Sequence, residues 1–172
     1  RSGHYHHFFC ECGSRLTFPT DGREHPEGYP CSACGKVYAG EKYDGAVRWQ
    51  IHNQLAVAAL NMGIVSAVEG KREYARKAGE ILLKYAAAYP GPHTTQTQGG
   101  MMYQSLCEAV WSIELAAAYD FARSAGVLSK RETELIENRL LRPIGEGLMS
   151  LNVRGNWHSW HLSAVGVIGY AI

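Results

Sequence analysis

The sequence has almost no net charge, no basic stripe and no long apolar run. Its 17 Lys and Arg nearly balance its 16 Asp and Glu, for a formal charge of +1. A balance so close to zero offers no electrostatic attraction for nucleic acid or for an anionic membrane surface. A zinc-ribbon module that reads nucleic acid is excluded on the same ground, because neither the cysteine region nor the helical patterns form a basic stripe. The longest apolar run, at the C-terminus, stops at about a dozen residues, short of the ~20 needed for a membrane span, so we expect no membrane partner. No segment carries the pattern of a signal peptide. Hydrophobic residues make up 46% of the 172 positions, which argues for a folded chain with a real core. That length suits one domain, or a small module followed by one.

Cysteine is scarce but concentrated. Four of the five lie in residues 1–40, as Cys10-Glu11-Cys12 and Cys31-Ser32-Ala33-Cys34. Two close pairs across a short insert are the spacing of a four-thiolate zinc site. Gly13 and Gly35 follow the pairs and let the backbone turn around a metal. The insert, Thr17 to Pro30, is rich in Pro, Gly and charge, and we expect it to lack a core of its own and to need a staple. We therefore expect Cys10, Cys12, Cys31 and Cys34 to bind a structural Zn2+, with no open position for water. Two cross-paired disulfides in an extracellular protein are the alternative. His4, His6, His7 and His25 lie nearby and are read as surface or supporting residues.

Residues 41–172 read as five helices. The first runs from an Asp44 N-cap to about Val68 and is stopped by Gly70. The second covers about 71–89 and ends at Pro90. The third covers about 102–125, with Ser105-x-x-Glu108 as a capping box if it starts late. The fourth runs from the Ser129-x-x-Glu132 capping box to about Leu151, and Pro143 should kink or break it. The fifth starts at Asn156. The first, third and fifth carry few charges, whereas the second and fourth are charged and amphipathic. Short turns give antiparallel hairpins, and the alternation suits an inner and an outer layer. The expected fold is mostly α: an incomplete (α/α) toroid of antiparallel helical hairpins at 41–172, with a zinc-ribbon-like module at 1–40.

The densest chemistry is Asn156-Trp157-His158-Ser159-Trp160-His161. The residues that follow, Leu162 to Ile172, carry no charge, so we expect a buried helix with polar groups at its mouth and Asn156 as its N-cap. Such a mouth suits a polar ligand with flat faces. In a toroid, the starts of the inner helices cluster. That would add Trp49, His52 and Asn53 from the first helix and Gln104, Glu108 and Trp111 from the third. Core packing is the plainer reading for Trp49 and Trp111. Cys107 reads as a small buried residue, since nothing nearby activates it. Arg154 reads as a surface turn residue that is able to pair with a carboxylate.

Three stretches resemble one family. Tyr43-Asp44-Gly45 with Trp49-x-x-His52-Asn53, the Glu108-Ala109-Val110-Trp111 helix, and Asn156-Trp157-x-x-Trp160 are similar to the toroid domain of heparinase II/III-like and oligoalginate-lyase-like polysaccharide lyases. The resemblance spans most of residues 38–172. It implies cleavage of uronic-acid glycans by β-elimination, with Asn156 neutralising the uronate carboxylate and an anionic polysaccharide or oligosaccharide as partner. It also implies sugar contacts from Trp49, His52, Asn53, Gln104, Glu108, Trp111, Trp157, Trp160 and His161. Many relatives have His directly after that Asn. Here Trp157 takes the place, and His158, the candidate catalytic His, comes one residue later and about 100° round the helix. The family's catalytic Tyr and a second His would lie beyond Ile172, because Tyr170 is expected deep in the buried helix. The chain stops inside an apolar pattern, so we expect a fragment of a longer protein, inactive alone and prone to self-association. The resemblance implies a secreted or periplasmic location, while a thiolate site also suits the cytoplasm. A non-catalytic carbohydrate- or protein-binding scaffold stapled by zinc is the alternative function.

Overall fold

Most of the chain is helical, as the three-and-four apolar spacing predicts. The computed structural model describes residues 1–172. Its elements are a short antiparallel pair, β1 (Tyr29–Pro30) and β2 (Val37–Tyr38), then helices α1 (Glu41–Glu69), α2 (Arg72–Ala88), α3 (Ser105–Ser124), α4 (Lys130–Ile136), α5 (Arg142–Ser150) and α6 (Asn156–Ala171). The chain divides into two compact units, Arg1–Gln54 and Leu55–Ile172, with the division falling inside α1.

In the first unit Tyr29 pairs with Tyr38, and Pro30 with Val37. An isolated bridge joins Phe9 to Arg15. The insert Thr17–Pro30 adds Tyr29, and in part Phe18, to a small core built mainly from residues outside it. Phe8, Leu16 and Tyr29 are buried together with Ala46 and Val47 from the first turns of α1, and Phe18 stacks on Phe8. Asp44 is not an N-cap. Helix α1 begins at Glu41, the Gly40 carbonyl accepts from Tyr43 and Asp44 N–H, and the Asp44 carboxylate accepts from Tyr29 Oη at 2.7 Å.

Helix α1 also corrects the expectation about membrane-length segments. It has 29 residues and is long and apolar enough, by length and composition, to cross a membrane. Asn53, Gln54, Asn61 and Ser66 interrupt its apolar run, which is why a count of unbroken apolar residues passes over it. The core helix of a soluble protein passes the same test.

In the second unit α3 packs along α6, α2 lies against α3, and α5 against α6. Leu82, Met102, Trp111, Leu115, Ile136 and Leu140 are fully buried between them. The stop at Gly70 forms as expected, with φ +68 and its N–H bonded to Ser66 O. The Ser129–Glu132 capping box is fully made. The fourth segment is interrupted just before Pro143, as its sequence leads one to expect. The five residues Glu137–Leu141 widen into a π turn, with Arg142 N–H bonded to Glu137 O, and α5 restarts with Pro143 in its first turn. There a missing N–H costs little.

Helix α6 is not buried all round. Leu162 is 57% and Tyr170 95% exposed, so the placing of Tyr170 deep in the core is overturned. Only one stripe, including His161, Ala164 and Ile168, faces α3 and α5. An apolar sequence shows which residues tolerate burial, and not how many neighbours the fold supplies.

Candidate functional site

The four cysteines of the first unit converge. Their sulfurs all lie within 4.8 Å of one another, at 3.4 Å for Cys10–Cys34 and 3.8 Å for Cys12–Cys31. Disulfides require ~2.05 Å, and all four are free thiols. Four sulfurs held tetrahedrally at ~2.3 Å from a zinc ion would be spaced by ~3.8 Å, so the cluster could hold a metal ion. Gly13 (φ +86) and Gly35 (φ +73) turn the chain after each pair and donate back to Cys10 O and Cys31 O. Cys10 and Cys31 are buried and Cys12 and Cys34 exposed, so the cluster lies at the edge of the small core. Tyr38 Oη lies 3.1 Å from Cys10 Sγ. The nearby histidines take other partners: His4 Nδ1 accepts from His6 N–H, and His25 pairs with Asp21.

At the head of α6 the expected Asn156 cap is corrected. The N-cap is Gly155, at φ 63 and ψ −140, and Asn156 is the first helical residue. Only glycine adopts that backbone readily, so the helix starts one residue earlier than side-chain typing suggests. The Asn156 amide is therefore not spent on capping, and the residue is exposed. His158 is exposed on the same turn, about 200° round the helix from Asn156. Trp160 is 43% exposed and Trp157 half-buried, its ring 6.5 Å from that of His161. His161 is buried, and neither ring nitrogen makes a hydrogen bond of normal geometry. Burial holds its pKa below the usual value.

The second unit also holds a buried polar clasp that the sequence does not reveal. Glu108, 1% exposed, accepts from Tyr89 Oη at 2.8 Å, from Met102 N–H at 2.7 Å and from Met101 N–H at 3.3 Å. The Ser105–Glu108 capping box is thus not formed: α3 starts after Gln104 with no side-chain cap, and Ser105 Oγ has no partner. His93, also buried, places Nε2 3.7 Å from Glu108 Oε2, while its Nδ1 meets Thr95 O at 3.2 Å. A Cβ on Gly100 would fall 2.2 Å from His93 Nε2, so the chain passes too close for any side chain. Burial next to the Glu108 carboxylate pushes the Tyr89 hydroxyl far above its usual pKa. The one sequence signal for the clasp is the Gly99-Gly100 pair, which marks a close backbone approach.

The other expected residues are dispersed. In the first unit Trp49 is half-buried and stacked on Tyr5 at 4.4 Å, its Nε1 without a partner. Asn53 Nδ2 donates to Trp49 O at 2.7 Å, and His52 is half-buried. In the second unit Gln104 is half-buried, with Cys107 Sγ 3.8 Å from its Oε1. Trp111 has no exposed surface and packs edge-on against Tyr85 at 4.9 Å.

No protein-family model matches the chain. It is 32% identical over 130 residues to an alginate lyase of Stenotrophomonas maltophilia (strain K279a), covering 70% of this chain and 17% of that protein. It is 30% identical over 138 residues to an exo-oligoalginate lyase of Saccharophagus degradans (strain 2-40), covering 74% of this chain and 18% of that protein. The chain thus spans less than a fifth of the length of these curated relatives. Over the matched residues it is a relative of the alginate-lyase-like polysaccharide lyases.

Proposed function

We propose that the chain is the N-terminal part of a polysaccharide lyase that cleaves a uronic-acid glycan of the alginate kind by β-elimination. The observation that supports this most is the unspent Asn156 amide at the head of α6, in a chain related to two proteins named as alginate lyases. In such a reaction a base removes the C5 proton of a uronate, the C4–O bond breaks with its electron pair leaving on oxygen, and a C4=C5 double bond forms. The C5 proton is poorly acidic while the carboxylate bears full charge, so a donor to that carboxylate lowers the barrier. Asn156 fills that role, helped by the free N–H groups of the first turn of a 16-residue helix. His158, Trp157 and Trp160 form the rest of this helix head and contact the glycan. Trp49, His52, Asn53, Gln104 and His161 are secondary candidates, and Glu108 and Trp111 act from the core by holding the elements in place. Helices α1 to α6 are the first hairpins of an (α/α) toroid. Residues 1–40 form a zinc-ribbon-like module whose four thiolates hold a structural Zn2+.

The test is the ultraviolet absorbance of the conjugated unsaturated uronate, followed while the full-length protein acts on a panel of uronate polysaccharides. We expect a rise that Asn156→Ala lowers by about 10²- to 10³-fold, as for loss of one donor to a developing anion. Tight glycan binding with no rise on any substrate would support the scaffold reading instead.

A further inference from the structure

Besides the helix head, the second unit has a cleft of about 400 Å3 lined by Thr95, Gln96, Thr97, Leu151, Asn152 and Val153. That volume lies within the range of small-ligand sites. One wall is the loop before α3; the other is the segment that leads through Arg154 and Gly155 into Asn156. We infer that this cleft is a sugar subsite, in which the side-chain amides of Gln96 and Asn152 bind ring hydroxyls of the uronate residue adjoining the one held at Asn156.

Three observations carry this. The first is chemistry: four of the six lining side chains are hydroxyls or carboxamides and none is charged, which suits alternating donors and acceptors on a sugar. The second is availability. Gln96 and Asn152 are exposed, and neither side chain makes an intramolecular hydrogen bond. The third is preorganisation. The loop carrying Gln96 is fixed by Gly100 N–H to Gly91 O at 3.0 Å, Thr94 N–H to Gln98 O at 2.9 Å and Ser105 N–H to Gln96 O at 2.9 Å. Thr95 Oγ1 accepts from Gln98 N–H at 3.1 Å, and the buried His93 ring holds Thr95 O from below. On the far side, a Cβ at Gly147 of α5 would fall 2.5 Å from Pro92 Cβ, so this glycine lets the loop seat against α5. A wall ordered before binding spares the ligand most of the ordering cost.

The inference rests on the lyase reading above, and the test separates the two. The full-length protein, with residues 1–172 segmentally labelled, is titrated with a uronate trisaccharide and with its carboxyl-reduced, neutral counterpart, while backbone and side-chain amide NMR signals are followed. We expect the uronate trisaccharide to shift the Thr95–Thr97 and Leu151–Val153 signals together with Asn156. Gln96→Ala and Asn152→Ala should each weaken binding by about 5- to 10-fold, the worth of one net hydrogen bond. Both residues are exposed, so their melting temperatures should stay at the wild-type value. A uronate that shifts Asn156 while leaving 95–97 and 151–153 silent, with both variants binding normally, overturns the subsite and leaves the lyase reading standing. Equal binding of the neutral sugar at 95–97 supports the subsite and overturns the uronate reading. Binding of neither sugar overturns both.

Discussion

Each unit gathers a cluster of polar groups, half-exposed in the first and buried in the second, and the clusters differ in kind. In Arg1–Gln54 four thiols converge within 4.8 Å, with little around them except backbone turns and Tyr38 Oη. In Leu55–Ile172 one carboxylate, Glu108, accepts three hydrogen bonds from its own unit. As thiolates, four sulfurs so close would repel one another, and the cluster could hold a metal ion that offsets the repulsion. The second is held by three hydrogen bonds from its own unit, which offset the cost of burying the Glu108 carboxyl group. A short loop-rich segment with a core of a few aromatics needs an external staple, whereas stacked helices can bury a carboxylate and still gain from packing.

The largest expected effect lies on the metal side of this comparison. Cys31→Ser, or a strong chelator, should remove the bound metal and unfold the first unit, because metal binding free energy is folding free energy in such modules. Metal analysis should give about one zinc per chain in the wild type and none in the variant. The near-ultraviolet circular dichroism of the Phe8–Tyr29 core should vanish with it. A wild type that holds no metal yet keeps that signal would break the comparison.

Next comes the clasp. Glu108→Ala leaves Tyr89 Oη and two backbone N–H groups without their acceptor, and it opens a hole beside His93. It should cost about 3–5 kcal/mol by denaturant melting, regardless of metal. Glu108→Gln keeps one acceptor oxygen and should cost about 1–3 kcal/mol. Were Glu108→Ala to cost less than about 1 kcal/mol, the carboxylate would not be the organising group of the second unit.

What the sequence disclosed follows from how local each feature is. The thiol cluster was legible because two Cys pairs, each followed by Gly, specify their own turns. The Ser129–Glu132 box was legible for the same reason: donor and acceptor lie three residues apart. The false box at Ser105–Glu108 has an equally good local pattern and lost to tertiary partners, the N–H groups of Met101 and Met102 in an irregular loop. His93 was missed because that loop has no periodicity to reveal a buried face. Asn156 was placed one position too early in its role, because the left-handed backbone of Gly155 is not written in side-chain preferences. The exposed flank of α6, with Tyr170, was read as core because hydropathy does not report the number of neighbours. The relation to alginate-lyase-like proteins was legible from short motifs in the right order. The cleft walled by Gln96 and Asn152 was not, because its walls are 50 or so residues apart in sequence and meet only through packing.

The smallest effect concerns the border between α2 and α4, where the second unit relies on an exposed ion pair and not on a buried one. Glu132 closes the capping box on Ser129 N–H at 2.8 Å and also meets Arg76 Nη2 at 2.8 Å. The Arg76 guanidinium, followed by the Ser129 bonds, lowers the carboxyl pKa from 4.5 to about 2. A carboxyl with a depressed folded-state pKa adds stability that is complete above its unfolded value and is lost as the pH falls through the folded one. The contribution should therefore be whole at neutral pH, decline below pH 4.5 and be spent near pH 2. Glu132→Gln should cost about 1–2 kcal/mol at neutral pH, since a cap and a partly exposed ion pair are each worth about 1 kcal/mol or less after solvent screening. Ser129→Ala should cost about 1 kcal/mol with a weaker pH dependence, because the Arg76 pair survives it. Urea melts of wild type and Glu132→Gln across this pH range give the difference directly. A gap that stays constant down to pH 2 would show that the box acts through shape alone. A gap that closes would show that the charge of Glu132 joins α4 to α2, a pair that salt should weaken while leaving the Glu108 clasp untouched.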